Sequence, residues 1–134
     1  MSAQILLPLQ TALFELLDGD TALGALVNGV FDFVPQSTAY PYVTIGDASS
    51  EDWSTASNSG ADTRFTIQVF GRGGGRKQVL TIMARLHTLL DGTSLSLSGH
   101  HCVRCRHEAS RIEQQADGLT YIGQIQFHLL SEQE

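Results

Sequence analysis

Between Thr63 and Leu90 the hydrophobic repeat changes from two residues to one helical turn. Phe65, Ile67 and Val69 alternate with Arg64, Thr66 and Gln68, so Thr63 to Phe70 predicts a strand with one buried face. Val79, Ile82, Met83, Leu86, Leu89 and Leu90 recur at helical spacing, which predicts a helix from Arg76 to Leu90 that stops at Gly92. Gly71 to Gly75 (GRGGG) breaks the strand between the two patterns. A strand with one apolar face followed directly by a helix with one apolar stripe buries both when the helix lies across the sheet.

The flanking segments extend this arrangement. Ile5, Leu6, Leu9, Leu13, Leu16 and Leu17 form a helical stripe. Pro8 belongs in a first turn, so the regular helix is expected from near Leu7 to the stop at Asp18-Gly19. Asp20 is placed to cap a short helix over Thr21 to Val27, ended by Asn28-Gly29. Val30 to Val34 reads as a short extended piece and Pro41 to Gly46 as a strand. Cys102 to Ile112 and Leu119 to Leu130 read as a long hairpin around Ala116-Asp117-Gly118. On its second arm Tyr121, Ile125, Phe127 and Leu129 share a face with Gly123. The expected fold is α+β, one domain over residues 1–134: a mainly antiparallel sheet of about four strands packed against two amphipathic helices. Phe65, Ile67, Val69, Val79, Ile82, Leu86, Leu13 and Leu16 are the expected core.

Charge narrows the function classes. The net charge is −6, which argues against general affinity for nucleic acid, because phosphate neutralisation needs clustered cations. No apolar run approaches the ~20 residues of a membrane span, and no Lys or Arg precedes Ile5-Leu6-Leu7 as a secretory signal requires. The expected partners therefore include no membrane, and the expected compartment is the cytoplasm. The charges are segregated: residues 1–63 hold eight acids and no base, residues 64–111 hold all eight bases with only Asp91 and Glu108, and residues 112–134 hold four acids. Such blocks either pair within the folded chain or steer one subunit onto another.

Two segments invite a chemical reading. His100-His101-Cys102-Val103-Arg104-Cys105-Arg106-His107 contains a Cys-x-x-Cys among histidines. Zinc knuckles hold such pairs in tight turns. On a strand, residues three apart point to opposite faces about 10 Å apart, beyond the 4.4–6.8 Å Cα separation of a disulfide. Two ordinary free thiols are expected, replaceable by Ser. Gly71-Arg72-Gly73-Gly74-Gly75-Arg76-Lys77 lies between strand and helix, where phosphate loops occur. The signature fails because Arg76 precedes the Lys and Gln78 follows it. A small anion- or nucleotide-binding domain using Gly71–Lys77 is the alternative reading. No nucleophile elbow or rigid carboxylate pair is present, so no catalytic residue, metal ligand or cofactor site is assigned.

Asp47 to Asp62 is expected to be a polar loop of sixteen residues, holding Glu51, Asp52 and the chain's only Trp, Trp53. A loop of that length in a compact domain needs a job. Trp53 either folds onto its own core or anchors a protein interface.

Taken in order, "LQTALFELLDGDTALGALV", "VPQSTAYPYVTIG", "SSEDWST", "FTIQVFGRGGGRKQVLTIMARLHTLL", "LSLSGHHCVRCRHE" and "DGLTYIGQIQF" resemble the short tail-completion or tail-terminator proteins of siphophages and alphaproteobacterial gene transfer agents. The resemblance covers nearly the whole chain and rests on order and spacing. It implies a structural protein without enzymatic activity or cofactor: a hexameric ring that caps the head-proximal end of the tail tube, stops its polymerisation and meets the head-closure protein. DNA passes through the lumen without sequence-specific binding. The implied location is the tail of a virion or gene transfer agent particle, assembled in the bacterial cytoplasm. Residues expected at subunit or partner interfaces are Glu51, Asp52, Trp53, Arg72, Arg76, Arg104, Arg106 and Arg111.

Overall fold

The computed structural model describes residues 2–134. After a 3-10 turn at Ser2–Ile5 come α1 (Leu6–Asp18), α2 (Thr21–Gly24), β1 (Val30–Phe31), β2 (Tyr42–Asp52), β3 (Gly60–Arg72), α3 (Gly75–Leu90), β4 (His100–Gln114) and β5 (Thr120–Gln133). The five strands form one sheet in the order β1-β2-β3-β5-β4. β1 is parallel to β2, and every other pair is antiparallel. The two-residue β1 is the strand beyond the four expected, formed where Val30 and Phe31 pair with Val43 and Thr44.

The switch from alternation to helical spacing reads through into packing. Phe65, Ile67 and Val69 on β3 and Ile125, Phe127 and Leu129 on β5 turn to the buried side, against Val79, Ile82, Met83, Leu86 and Leu90 of α3 and Leu9, Leu13 and Leu17 of α1. Phe65 and Phe127 stack with ring centroids 5.4 Å apart. Leu16, expected in the core, only packs against its rim. Gly73 and Gly75 hold φ of +85° and +70°, so the β3–α3 turn uses backbone conformations that residues with a Cβ rarely adopt. Gly123 sits beneath α3: a Cβ there would lie 2.5 Å from Met83 Sδ and 2.7 Å from Val79 Cγ1, so its missing side chain sets how close the helix comes to β5.

Asp20 caps as expected. Its Oδ2 accepts from Leu23 N at 2.8 Å, and its carboxylate also takes two bonds from Arg85 of α3, Nε at 2.9 Å and an η-nitrogen at 2.8 Å. α2 is only one turn long, shorter than expected, and Arg85 ties it to α3. The Arg85 hydrogen bond is the main reason the Asp20 carboxyl lies below the ordinary carboxylate range. A carboxyl held low in the fold contributes stability above its unfolded pKa of about 3.9 and loses it as pH falls through the folded value. Acid unfolding below about pH 4 should therefore be shallower in Asp20→Asn than in the natural chain, and its neutral-pH stability should fall by up to about 1 kcal/mol through the lost charge opposite Arg85, since Asn caps as well as Asp. Circular dichroism melts from pH 2 to 7 measure both.

Two expectations are corrected. The loop at Asp47 to Asp62 is mostly sheet. β2 runs on to Asp52 and β3 begins at Gly60, with Ala48, Ser49, Glu51 and Asp52 opposite Phe65, Arg64, Asp62 and Ala61. An irregularity between Ile45 and Ala48 resets the register, and pairing with β3, itself backed by β5 to Gly60, overrides the weak strand preference of Ala, Ser and Asp. Only residues 53–59 form the tip. Cys102 and Cys105 are also not on opposite faces. A bulge at Val103 adds one residue to β4, and both cysteines become buried, at 7% and 1% exposure.

Candidate assembly site

The sheet has one helix-covered face and one open face. Ladder rows across the open face are fixed by register: Arg104, Leu130, Asp62 and Glu51 share one row, and Arg106, His128, Arg64 and Ser49 the next. Arg64 anchors the centre. Its Nε donates to both Glu108 oxygens, at 3.0 and 3.3 Å, and an η-nitrogen reaches Asp62 at 3.4 Å. His128 Nε2 lies 2.6 Å from the same Asp62 oxygen. Part of the acid–base segregation is thus satisfied inside the chain.

The expected interface residues fall into three groups. Arg104 and Arg106 project from β4 and form no close ion pair among the described residues, although Arg106 is near enough to Asp91 to help lower its pKa. Arg111 instead pairs with Glu113 of the same strand at 2.7 Å, a spacing of two that strand alternation already places on one side. Arg72 is tied to the β4–β5 turn: Nε donates to Thr120 Oγ1 at 2.9 Å, an η-nitrogen meets Asp117 at 3.2 Å, and the guanidinium lies 4.8 Å from the Tyr40 ring centre. Asp117 also accepts from the amides of Thr120 and Leu119, which together with Thr120 Oγ1 and Arg72 hold its pKa down to about 2. Arg76 lies over the Tyr121 ring at 5.2 Å. The arginines of the glycine turn thus brace the hairpin and the sheet, a different task from cradling a phosphate.

The third group is the ribbon tip. It is held by hydrogen bonds within the subunit. Trp53 N donates to Gly60 O at 2.9 Å, Thr55 N to Asn58 O at 2.8 Å, Ser54 Oγ to Asp52 Oδ1 at 2.7 Å, and Asn58 Nδ2 to Glu132 at 3.3 Å. Trp53 lies against Gly60, where a Cβ would come within 3.2 Å of its indole, and stays 38% exposed. It stands outside the core, with Glu51 and Asp52 beside it and without a basic partner among the described residues.

Among the exposed large apolar residues that the sequence reading did not single out, Phe33 is the most exposed, at 85%. The alternation of Phe31, Asp32 and Phe33 was the available signal, and the strand ends before it reaches Phe33.

A family model described as tail completion protein gp17 matches residues 11–132. The chain belongs to this tail completion family. It is 31% identical over 117 residues, 87% of each chain, to the tail completion protein gp17 of Bacillus phage SPP1. The structure of bacteriophage SPP1 gp17 superposes with a TM-score of 0.65 at 26% identity, covering 96% of this chain and 94% of that one. A chain in the virion of a native gene transfer agent particle gives a TM-score of 0.84, with 92% and 94% coverage. Its identity is 24%, so that likeness concerns the fold.

Within this tail completion fold the cysteines are packing residues. Burial pushes the Cys105 thiol up to about 12, with a smaller contribution from Cys102, so it stays protonated and weakly nucleophilic at neutral pH. Replacement by Ser is no longer expected to be silent. Cys105→Ser buries a hydroxyl and should cost about 1–3 kcal/mol, more than Cys105→Ala if no new partner is found. Denaturant melts of the two variants test this, and the Cys105 thiol should react with a thiol reagent only as the chain opens.

Proposed function

We propose that this chain is a structural subunit of a phage-type tail, acting as one domain and without enzymatic turnover. In this reading it forms a six-membered ring at the head-proximal end of the tail tube. The ring stops tube polymerisation and offers its other side to the head-closure protein, while DNA passes through the lumen without base-specific contacts. The observation that carries the reading is the family match over residues 11–132. The geometry is in accord with it: a ring needs two different, complementary patches on each subunit, and Arg104 and Arg106 lie at the β4 edge while Glu51, Asp52 and Trp53 lie at the end of β2, on the far side of the sheet.

The test is particle assembly with and without the chain, viewed by electron microscopy. Without it, tails of uncontrolled length or tails detached from heads are expected, and adding the purified chain should restore joined particles with rings at the tube end. Tails of normal length joined to heads in its absence would overturn the reading.

A further inference from the structure

The helix layer carries two exposed stripes that the sheet does not use. On α1, Leu7, Thr11, Phe14 and Asp18 follow one another at helical spacing and are all exposed, Leu7 at 72%. On α3, Lys77, Thr81, Ala84 and Thr88 repeat the same spacing on the outer side, with Leu80 beside them and 47% exposed. Each stripe runs along about 16 Å of helix.

The charge on each helix is of one sign. α1 holds Glu15 and Asp18 and no base, while α3 holds Arg76, Lys77 and Arg85 and no acid. Arg85 is taken by Asp20, and Arg76 lies over the Tyr121 ring. Lys77, Glu15 and Asp18 form no ion pair among the described residues. They also sit at the unfavourable ends of their own helices. The acids lie near the negative, C-terminal end of α1, and Lys77 lies in the first turn of α3, near its positive end. Both placements weaken the helices that carry them, so folding of the subunit does not account for them.

We propose that α1 of one copy packs antiparallel against α3 of the next, with Asp18 beside Lys77, Phe14 beside Leu80 and Leu7 beside Thr88. The inference rests on the ring reading and specifies its contact.

Three observations select a second copy as the occupant. The first is charge. Antiparallel order sets the acids of α1 beside Lys77 and the positive end of α3, so each misplaced charge gains an opposite one. Pairing α1 with α1 leaves the acids without a base, and pairing α3 with α3 leaves Lys77 without an acid. Parallel order brings Asp18 to the end of α3 that carries Asp91. The second is the surface of α3. Thr81 Oγ1 donates to Lys77 O at 2.7 Å and Thr88 Oγ1 to Ala84 O at 3.1 Å, so covering the stripe leaves neither hydroxyl proton unpaired, and Ala84 between them lets a helix come close. The third is place. α1 packs on β1 and β2, and α3 on β3, β5 and β4, so the stripes belong to opposite halves of the sheet. A contact between them joins unlike patches head to tail, the kind that closes rings.

Charge exchange on the full chain tests this, with self-association followed by analytical ultracentrifugation and ring formation on tail tubes by electron microscopy. Asp18→Lys and Lys77→Glu each set like charges across the contact and should weaken self-association at least about tenfold. Each also removes a charge unfavourable to its own helix, so the isolated subunits should melt no lower than the natural chain. Leu80→Gln, which leaves every charge in place, should weaken association likewise. Mixing Asp18→Lys with Lys77→Glu restores an acid opposite a base wherever the two variants alternate, and should recover assembly, as only a contact between copies can. Single variants that assemble like the natural chain, or a mixture that fails to recover, overturn this inference and leave the ring reading standing. Variants that form normal rings but no longer bind tubes assign the stripes to the tube protein and overturn it too. A natural chain that forms no ring, alone or on tubes, overturns both.

Discussion

Phe127→Ala should lose about 3–5 kcal/mol of folding free energy, the range found when a fully buried aromatic is truncated. Phe127 is completely buried, stacks on Phe65 at 5.4 Å and receives the edge of His107 at 5.9 Å. Its removal leaves a cavity between β5, β3 and α3 that Phe65 alone cannot fill, because Phe65 is itself fixed on all sides. Domains of this size have only about 5–15 kcal/mol in total, so the variant should melt far below the natural chain and lose assembly with it. Chemical denaturation gives the number. A loss under about 1 kcal/mol would mean that the core closes over the gap, and that the aromatic pair is not its centre.

That prediction depends on alternation that was plain in the sequence. Phe65, Ile67 and Val69, then Ile125, Phe127 and Leu129, repeat every second residue, and burial of one sheet face follows from the repeat alone. Departures from the repeat were not legible. The bulges at Val103 and Glu108 follow from how β4 fits β5, and nothing in HHCVRCRHE announces them, yet one of them brings both cysteines to the buried side. The ribbon was missed for a similar reason. Ala48, Ser49, Glu51 and Asp52 are poor strand formers judged singly, and they are extended because a partner strand lies beside them. Of the interface arginines, the Arg111–Glu113 pair could have been read from spacing, while the Arg72–Asp117 pair joins residues far apart in the chain.

Trp53→Ala should separate assembly from stability. The indole is outside the core and 38% exposed, and the tip's hydrogen bonds are made by neighbouring groups. Truncation should therefore change the folding free energy of the isolated chain by less than about 1 kcal/mol. If Trp53 anchors a contact with a neighbouring subunit, tube or connector, the same change should cost about 2 kcal/mol or more of interface free energy, close to a thirtyfold loss of affinity. Calorimetry of the subunit and counts of joined particles by electron microscopy form the pair of measurements. A subunit destabilised by several kcal/mol would make Trp53 a folding residue. Normal particle yield with normal stability would remove it from the interface.

The Asp91 carboxylate receives the His107 amide, and that bond is the chief reason its pKa lies below the ordinary range. Its position at the exit of α3 gives it a second consequence. Together with Gly92 N, which donates to Cys105 O at 2.7 Å, it fastens the end of the helix to the outermost strand of the sheet. The helix exit and the strand therefore open together or not at all. Asp91→Ala is thus expected to act locally: the His107 amide should exchange faster with solvent, while the Phe127 amide, deeper in the ladder, stays slow.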